Sequence, residues 1–184
     1  MPNAIELLRE DHRKVKDLFD HFEAKESGDK KQIVDTTLRE LAVHTTIEED
    51  IFYPAARRAL KNIDGDQSDT IDEAWEEHHV VKLLAAELKK IRPSDERYGA
   101  KFTVLAESVK HHIEEEEGEL FPKLEGHIEN EELGEKIMTR KQSLLRTDSK
   151  SNTRSGNAGT RSARNRGKAK PRMRKRRRAS GNRR

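Results

Sequence analysis

The sequence predicts an all-α protein, an antiparallel up-down-up-down four-helix bundle with a disordered basic C-terminal tail. First, apolar residues recur three and four positions apart along four long segments before residue 126. Second, 40% of the 184 residues are charged and 4% are aromatic, which is typical of helices with a narrow apolar face. Third, residues 147–184 contain 15 of the 38 Lys and Arg residues and one acidic residue, a net charge of +14 against −11 for residues 1–146.

The first predicted helix begins after Asn3, a favourable N-cap with Glu6 three positions later, and ends at about Lys25. Its periodic face consists of Ile5, Leu8, His12, Val15, Phe19 and Phe22. The second helix covers about residues 30–60, and Pro54 predicts a kink near Phe52 and Tyr53. Its periodic face consists of Val34, Leu38, Leu41, His44, Glu48, Ile51 and Ala55.

The third predicted helix covers about residues 69–92, and the fourth covers about 95–125 with Pro122 near its end. The third presents Ile71, Ala74, His78, Val81, Ala85 and Leu88, and the fourth presents Phe102, Leu105, Val109, His112, Glu116 and Leu120. Short connections between the four helices favour antiparallel neighbours. We therefore assign residues 1–128 to the bundle.

The chain after residue 128 has two predicted parts. Residues 129–146 can form an extra helix, with Leu133, Ile137 and either Leu144 or Leu145 as its apolar contacts. Residues 147–184 are rich in Ser, Gly, Asn, Lys and Arg, and this composition predicts a disordered tail because it offers little apolar surface to bury.

The bundle sequence repeats itself once. The segment "HTTIEEDIFYP" at 44–54 matches "HHIEEEEGELFP" at 111–122 when His44 is aligned with His112, which also aligns Glu48 with Glu116. Likewise "EDHRKVKDLF" at 10–19 matches "EEHHVVKLLA" at 76–85, with His12 on His78. The repeat predicts two helical hairpins of similar design.

Six polar residues occupy positions that the apolar period assigns to the core. They are His12, His44, Glu48, His78, His112 and Glu116. Residues four apart on a helix project side by side, so each hairpin supplies a histidine next to a glutamate. Burying an imidazole or carboxylate without a partner costs several kcal/mol, and a purely structural bundle would need another way to satisfy all six.

This set of side chains predicts a metal site. The chain has no cysteine, so a metal would be held by nitrogen and oxygen ligands, which suit iron, with manganese or zinc as alternatives. The repeat predicts two metal positions, each with two histidines from one hairpin, and with Glu48 and Glu116 bridging them. Such a ligand count leaves positions open for a bridging hydroxide and an exogenous ligand.

The two histidine-plus-"HxxxE" units and the "FYP" and "LFP" ends resemble the hemerythrin-like cation-binding domains, or HHE domains, over about residues 3–125. The resemblance implies a four-helix bundle with two non-haem iron ions, bridged by carboxylates and by hydroxide or oxo, that binds O2 or reacts with H2O2 or NO. It implies the same six metal ligands and a role in oxidative or nitrosative stress defence, or in oxygen or iron sensing.

The sequence departs from the oxygen-carrying members of that family. Lys82 stands where they have a fifth histidine, and Glu116 lies four residues after His112 where they have an aspartate five residues after. These departures favour peroxide decomposition of a catalase-like kind, sensing or iron handling over reversible O2 carriage.

Other conspicuous residues receive simpler interpretations. We expect His79 and His111 to be partly exposed, and Glu49, Glu115 and Glu117 to form a solvated flank. Trp75, Phe19, Phe22 and Phe102 are predicted to pack in the core. Tyr53 aligns with Phe121 in the repeat, so no chemistry is assigned to it.

The tail suggests a second hypothesis. A run such as "KAKPRMRKRRR" can bind DNA or RNA nonspecifically by releasing counterions, so the metal bundle could be a sensor or protective module held on nucleic acid. The alternative is a merely solvated tail. No stretch has the length or apolarity of a signal peptide or transmembrane helix, so we expect a cytoplasmic protein, with nucleoid association under the second hypothesis.

Overall fold

The computed structural model describes residues 3–24, 30–64, 68–128 and 130–158. Within these ranges every regular element is a helix and no strand is present. The elements in chain order are α1 (Ala4–Ala24), α2 (Lys30–Ile47), the first π-helical turn (Glu48–Phe52), α3 (Tyr53–Asp64), α4 (Ser68–Leu88), α5 (Glu96–Glu115), the second π-helical turn (Glu116–Leu120), α6 (Phe121–Leu124) and α7 (Asn130–Ala158). The chain divides into two units, residues 1–146 and residues 147–184.

Four long helices form the bundle. Helix α1 packs on α2 and α4 packs on α5, while α1 also contacts α5 and α2 also contacts α4. The Asn3 cap is confirmed, because Asn3 Oδ1 accepts the Glu6 backbone N–H at 3.3 Å. The prediction of an all-helical bundle is therefore confirmed, and the up-down-up-down order of its helices stays a prediction.

The second and fourth predicted helices are each interrupted by a π-helical turn. The Tyr53 N–H donates to the Glu48 carbonyl, and the Phe121 N–H donates to the Glu116 carbonyl, so each turn spans five residues instead of four. Pro54 and Pro122 follow directly after these bonds. The kink predicted at Pro54 therefore takes the form of a widened turn, and the repeat reproduces it in the other hairpin.

Helix α7 is longer than the predicted extra helix. Its Leu133 and Ile137 are buried in the apolar cluster that includes Val43 and Ile47, as their spacing predicts. Of the two alternatives for the next contact, Leu144 packs against this cluster and Leu145 is 37% exposed. The helix continues to Ala158, so residues 147–158 are helical where composition predicts disorder. Residues 159–184, the rest of the predicted tail, lie outside the described residues.

The buried apolar residues form two clusters. One contains Leu8, Ile47 and Leu120, and the other contains Val15, Leu41 and Val109. Each long helix carries one of the four core histidines, and along the chain this histidine falls between residues of one cluster and residues of the other. Phe19, Phe22 and Phe102 are buried as predicted. The prediction that Trp75 packs in the core is wrong, because this residue is 41% exposed.

No helix in the described ranges combines the length and the apolar character that crossing a bilayer requires.

Candidate metal centre

The structure brings all six predicted polar residues together in the layer between the two apolar clusters. None of them is more than 4% exposed. Their side-chain atoms form two groups with ligand atoms within 4.8 Å of one another. The first group is His12, His44, Glu48 and Glu116, and the second is Glu48, His78 and His112.

The histidines are paired by hairpin. His12 Nε2 lies 3.1 Å from His44 Nε2, and His78 Nε2 lies 3.1 Å from His112 Nε2. Each ring therefore directs the same nitrogen towards the centre of the bundle. The structure thus brings the two histidines of each hairpin together, and the two metal positions stay a prediction.

The two glutamates lie between the pairs. Glu48 Oε2 is 3.1 Å from His44 Nε2 and 3.2 Å from His78 Nε2. Glu116 Oε2 is 3.3 Å from His12 Nε2 and 3.6 Å from His112 Nε2. Each carboxylate therefore contacts one histidine from each hairpin.

Tyr53 also belongs to this centre, although no chemistry was assigned to it. Its hydroxyl donates to Glu116 Oε1 at 2.9 Å and lies 3.2 Å from His78 Nε2. The first π-helical turn causes this position, because a hydrogen bond across five residues puts Tyr53 on the same helix face as Glu48. A uniform α-helical period places residues five apart on different faces, so periodicity missed it.

The repeat partner of Tyr53 shows the same geometry without the hydroxyl. Phe121 stacks on His12 with ring centroids 5.8 Å apart and planes 6° apart, while the Tyr53 ring lies 5.4 Å from His78. The proline-aromatic ends of the two motifs therefore cover one histidine each. Only the first hairpin adds a proton donor at that position.

A carboxylate lies near the outer nitrogen of each of the four histidines, and three of these nitrogens are hydrogen-bonded to it. The His12 Nδ1 donates to Glu117 at 2.8 Å, the His78 Nδ1 to Glu49 at 2.9 Å and the His112 Nδ1 to Glu77 at 2.6 Å. His44 Nδ1 lies 3.9 Å from Asp11. A carboxylate at Nδ1 fixes ring orientation and leaves the Nε2 lone pair for a metal.

These outer carboxylates change the interpretation of the supposed solvated flank. Glu49 and Glu117 are equivalent in the repeat, and so are Asp11 and Glu77, which directly precede His12 and His78. The recurrence of an acid at these repeat positions was a usable signal. Glu115 and His111 do remain on the flank, where they form a 3.2 Å ion pair with His111 65% exposed, and His79 is exposed as expected.

Lys82, at the position of the fifth histidine in oxygen carriers, reaches the centre indirectly. Its Nζ donates to Glu49 Oε2 at 2.6 Å, and Glu49 in turn contacts His78. Lys16, its repeat equivalent, lies 3.6 Å from Glu117. In each hairpin a lysine and a histidine thus contact the same glutamate of the other hairpin.

The electrostatics of the six residues favour a bound positive charge. Burial opposes charge on His112, yet the carboxylates of Glu116, Glu77 and Glu48 outweigh it and raise its pKa to about 9. Burial and the neighbouring Glu116 charge raise the pKa of Glu48 well above its usual value. The carboxylates of the centre therefore favour a positive charge on His112.

Burial also controls two other groups in the layer. It lowers the pKa of His78 to about 4, assisted by the charge on His112. It raises the pKa of Tyr53 well above the usual phenol value, with the Glu116 and Glu48 charges acting in the same direction. Both residues are thus held in their uncharged forms near neutral pH.

The donor set fits a cation. Among the described side chains, both Glu48 carboxylate oxygens and Glu116 Oε2 are buried without a hydrogen bond. In the form that binds a cation, each imidazole would be neutral with its proton on Nδ1, and the Nε2 lone pairs that face each other at 3.1 Å would coordinate the cation. Nitrogen and oxygen ligands of this kind suit iron, manganese or zinc.

A small cavity of about 10 Å³ lies against the four histidines. Its other walls are mostly apolar and comprise Val15, Leu41, Val81, Val109, Ile113 and Thr45. Thr45 is 3% exposed, and its hydroxyl is without a hydrogen-bond partner among the described residues. The space is close to the lower limit for one water molecule.

A helical bundle with a buried layer of four histidines and two glutamates defines a metal-binding domain. The chain belongs to the hemerythrin HHE cation binding domain family, whose model matches residues 3–124. The matched range ends at Leu124, the last residue of α6, and includes all six core residues.

The chain is similar to two further proteins, and the solved structure supports the family assignment. A crystal structure of a hemerythrin HHE cation binding domain-containing protein from Mycobacterium kansasii is 29% identical, with a TM-score of 0.66, and covers 78% of this chain and 88% of that one. A DNA nickase from Nostoc is 29% identical over 133 residues, which is 71% of this chain. The chain spans 36% of the length of that nickase.

Proposed function

We propose that this chain is a non-haem di-iron protein. His12 and His44 would hold one iron ion, His78 and His112 the other, and Glu48 and Glu116 would bridge them. The observation that carries the proposal is the position of each glutamate between one histidine of each hairpin, at 3.1–3.6 Å. Iron would supply Lewis-acid and redox chemistry at this centre.

The chain's own residues would orient and isolate the centre. The outer carboxylates fix the histidine rings, and the Tyr53 hydroxyl holds Glu116 Oε1. The two apolar clusters limit access of bulk water to the layer between them. These features support a reactive site that is enclosed by protein and in which the six protein ligands leave coordination positions open on the metal ions.

The proposed ligands are O2, H2O2 or NO. A largely apolar cavity of about 10 Å³ against the histidines suits a small uncharged molecule, and the Thr45 hydroxyl offers it one hydrogen bond. Because Lys82 pairs with Glu49 instead of adding an imidazole, catalase-like peroxide decomposition or sensing is favoured over reversible O2 carriage. The physiological role would be stress defence or oxygen or iron sensing in the cytoplasm.

Metal analysis of the purified protein tests the centre. After anaerobic iron loading we expect about two iron ions per chain and visible absorption on exposure to O2. His44→Ala and Glu116→Ala should each lower the iron content, whereas His21→Ala, a matched change at an exposed histidine, should leave it unchanged. Fewer than about one ion per parent chain, or full iron content in both ligand variants, would refute the proposal.

Stopped-flow absorption of the reduced protein with O2, H2O2 and NO in turn identifies the ligand. Catalase-like activity predicts O2 release over many cycles of peroxide addition. Binding without turnover predicts a single spectral change that saturates. No spectral response to any of the three would exclude this class of ligand.

We propose nucleic-acid association as a second candidate function. The +14 charge of residues 147–184, and the similarity to a DNA nickase over 133 residues, support it. The basic segment would hold the chain on DNA or RNA without sequence preference, with the metal bundle as a sensor or protective module in the nucleoid. Because the chain spans about a third of the nickase, nicking activity is not part of this proposal and is tested separately.

Deletion of residues 147–184 tests this candidate. DNA retention on a filter should fall steeply with salt for the full chain and be lost in the truncated chain. Relaxation of supercoiled plasmid by the iron-loaded full chain, measured in the same series, would reveal nicking. Retention that is unchanged by the deletion, or that does not depend on salt, would refute the tail's role.

A further inference from the structure

A cleft of about 70 Å³ leads to one side of the metal centre between α4 and α5. Five glutamates line it, and one of them, Glu116, is a residue of the centre, as is His112. The lining residues are Thr70, Glu73, Ala74, Glu77, His112, Glu115, Glu116, Glu119 and Leu120. None of these described lining residues is a lysine or arginine. The cleft is therefore strongly acidic from its exposed rim to the buried Glu116.

The inner end of the cleft carries an unsatisfied oxygen. Glu116 is 2% exposed, and its Oε2 accepts no hydrogen bond from the described residues. His112, the other centre residue in the wall, is 3% exposed. A cation that moves along the cleft would thus meet a buried carboxylate oxygen with free lone pairs.

Two residues of the cleft wall, Glu77 and Glu115, also belong to a second group of ligand atoms, together with His111, which does not line the cleft. Glu77, His111 and Glu115 place one ligand atom each within 4.8 Å of one another. Glu77 also contacts His112 Nδ1 at 2.6 Å, so it joins this outer group to the centre. His111 is 65% exposed, so a cation from solvent can reach it directly.

The internal repeat shows that three of the five cleft glutamates have no acidic equivalent in the first hairpin. The positions equivalent to Glu73, His111, Glu115 and Glu119 are Leu7, Val43, Ile47 and Ile51. Those four apolar residues belong to, or pack against, the cluster that includes Leu133 and Ile137 of α7. One side of the pseudo-symmetric centre is therefore sealed by apolar packing, and the other is open and acidic.

We propose that the cleft is the uptake path for divalent cations, with Glu77, His111 and Glu115 as a transient first site. This inference rests on the proposed function, since it assumes that the centre holds metal ions. Carboxylates along a cleft raise the local concentration of a cation and its association rate, but they give no such advantage to uncharged O2, H2O2 or NO. The volume accommodates an ion with part of its hydration shell.

Uptake of Co2+ by the metal-free full-length protein tests the path. The visible absorption of bound Co2+, followed by stopped flow, reports both the rate of binding and the final amount bound. We expect Glu73→Gln with Glu119→Gln to slow uptake about tenfold and to weaken its salt dependence, with the same final absorbance. His111→Ala should slow uptake by about threefold.

A double variant on the same helices is the matched control. Glu76→Gln with Glu114→Gln removes two exposed carboxylates that do not line the cleft, and it should keep the parent rate. Equal rates in the parent and the cleft variant, or equal slowing in cleft and control variants, would overturn the path. Loss of final absorbance at the parent rate would also overturn it, because the cleft glutamates would then be ligands. Failure of the parent itself to bind Co2+ would instead contradict the proposed metal centre.

Discussion

The Tyr53 hydroxyl should contribute measurably to the stability of the metal-free protein. Tyr53→Phe removes the hydrogen bond to Glu116 Oε1 at 2.9 Å and keeps a ring that is 1% exposed. A hydrogen bond to a charged group contributes about 1.5–3 kcal/mol, and loss of this donor leaves a buried carboxylate with less compensation. For a domain of this size, we therefore expect the melting temperature to fall by about 3–12 °C.

The assay is thermal unfolding of the parent and the variant in buffer that contains a chelator, followed by circular dichroism. Tyr98→Phe is the control, because Tyr98 is 5% exposed and lies in the apolar cluster away from Glu116. A Tyr53→Phe protein that melts within about 1 °C of the parent would contradict the assigned hydrogen bond. Equal losses in both variants would show that Glu116 is not the cause.

Three further predictions concern the outer carboxylates, the core and a helix cap. Glu49→Gln should weaken metal affinity about 10–100-fold in chelator competition, while Glu114→Gln should not, and equal affinities would contradict the role of the outer carboxylates. Phe102→Ala should lower the free energy of unfolding by about 3–5 kcal/mol in urea titrations, whereas Val104→Ala, at a 49% exposed position, should change it by less than about 0.5 kcal/mol. Asp95→Ala should lower the melting temperature at neutral pH because Asp95 caps α5. The backbone N–H and side chain of Arg97 lower the Asp95 pKa below 3.8, so the cap stabilises the protein above that pH. The difference in melting temperature between parent and variant should therefore narrow as pH falls through the lowered pKa. A difference that does not change with pH would contradict this.

The sequence was sufficient for the helices and for the six central residues because both depend on a local period. A histidine such as His12 on an apolar face must point into the bundle if its helix forms at all. The internal repeat aligned His12 with His78 and His44 with His112. The two hairpins that it predicts therefore group His12 with His44 and His78 with His112. The structure reproduces this grouping.

The period failed where the helix itself changed. Tyr53 enters the centre because the π-helical turn from Glu48 to Phe52 shifts every later residue around the helix axis. The repeat pointed to Phe121 as its partner and so to ordinary packing, yet one hydroxyl makes Tyr53 a hydrogen-bond donor to Glu116. Proline at position 54 indicated a break but not its geometry.

The sequence by itself determined an all-helical bundle with four histidines and two glutamates inside, because the spacing of residues along a helix predicts which face is buried. Only the tertiary structure decided which carboxylate contacts which ring, as with Glu77 on His112, and which side of the centre is open. Those facts depend on distances between helices that are far apart in the chain. On the sealed side the apolar cluster includes Leu133 and Ile137 of α7, whose spacing predicts their burial but not the residues with which they cluster.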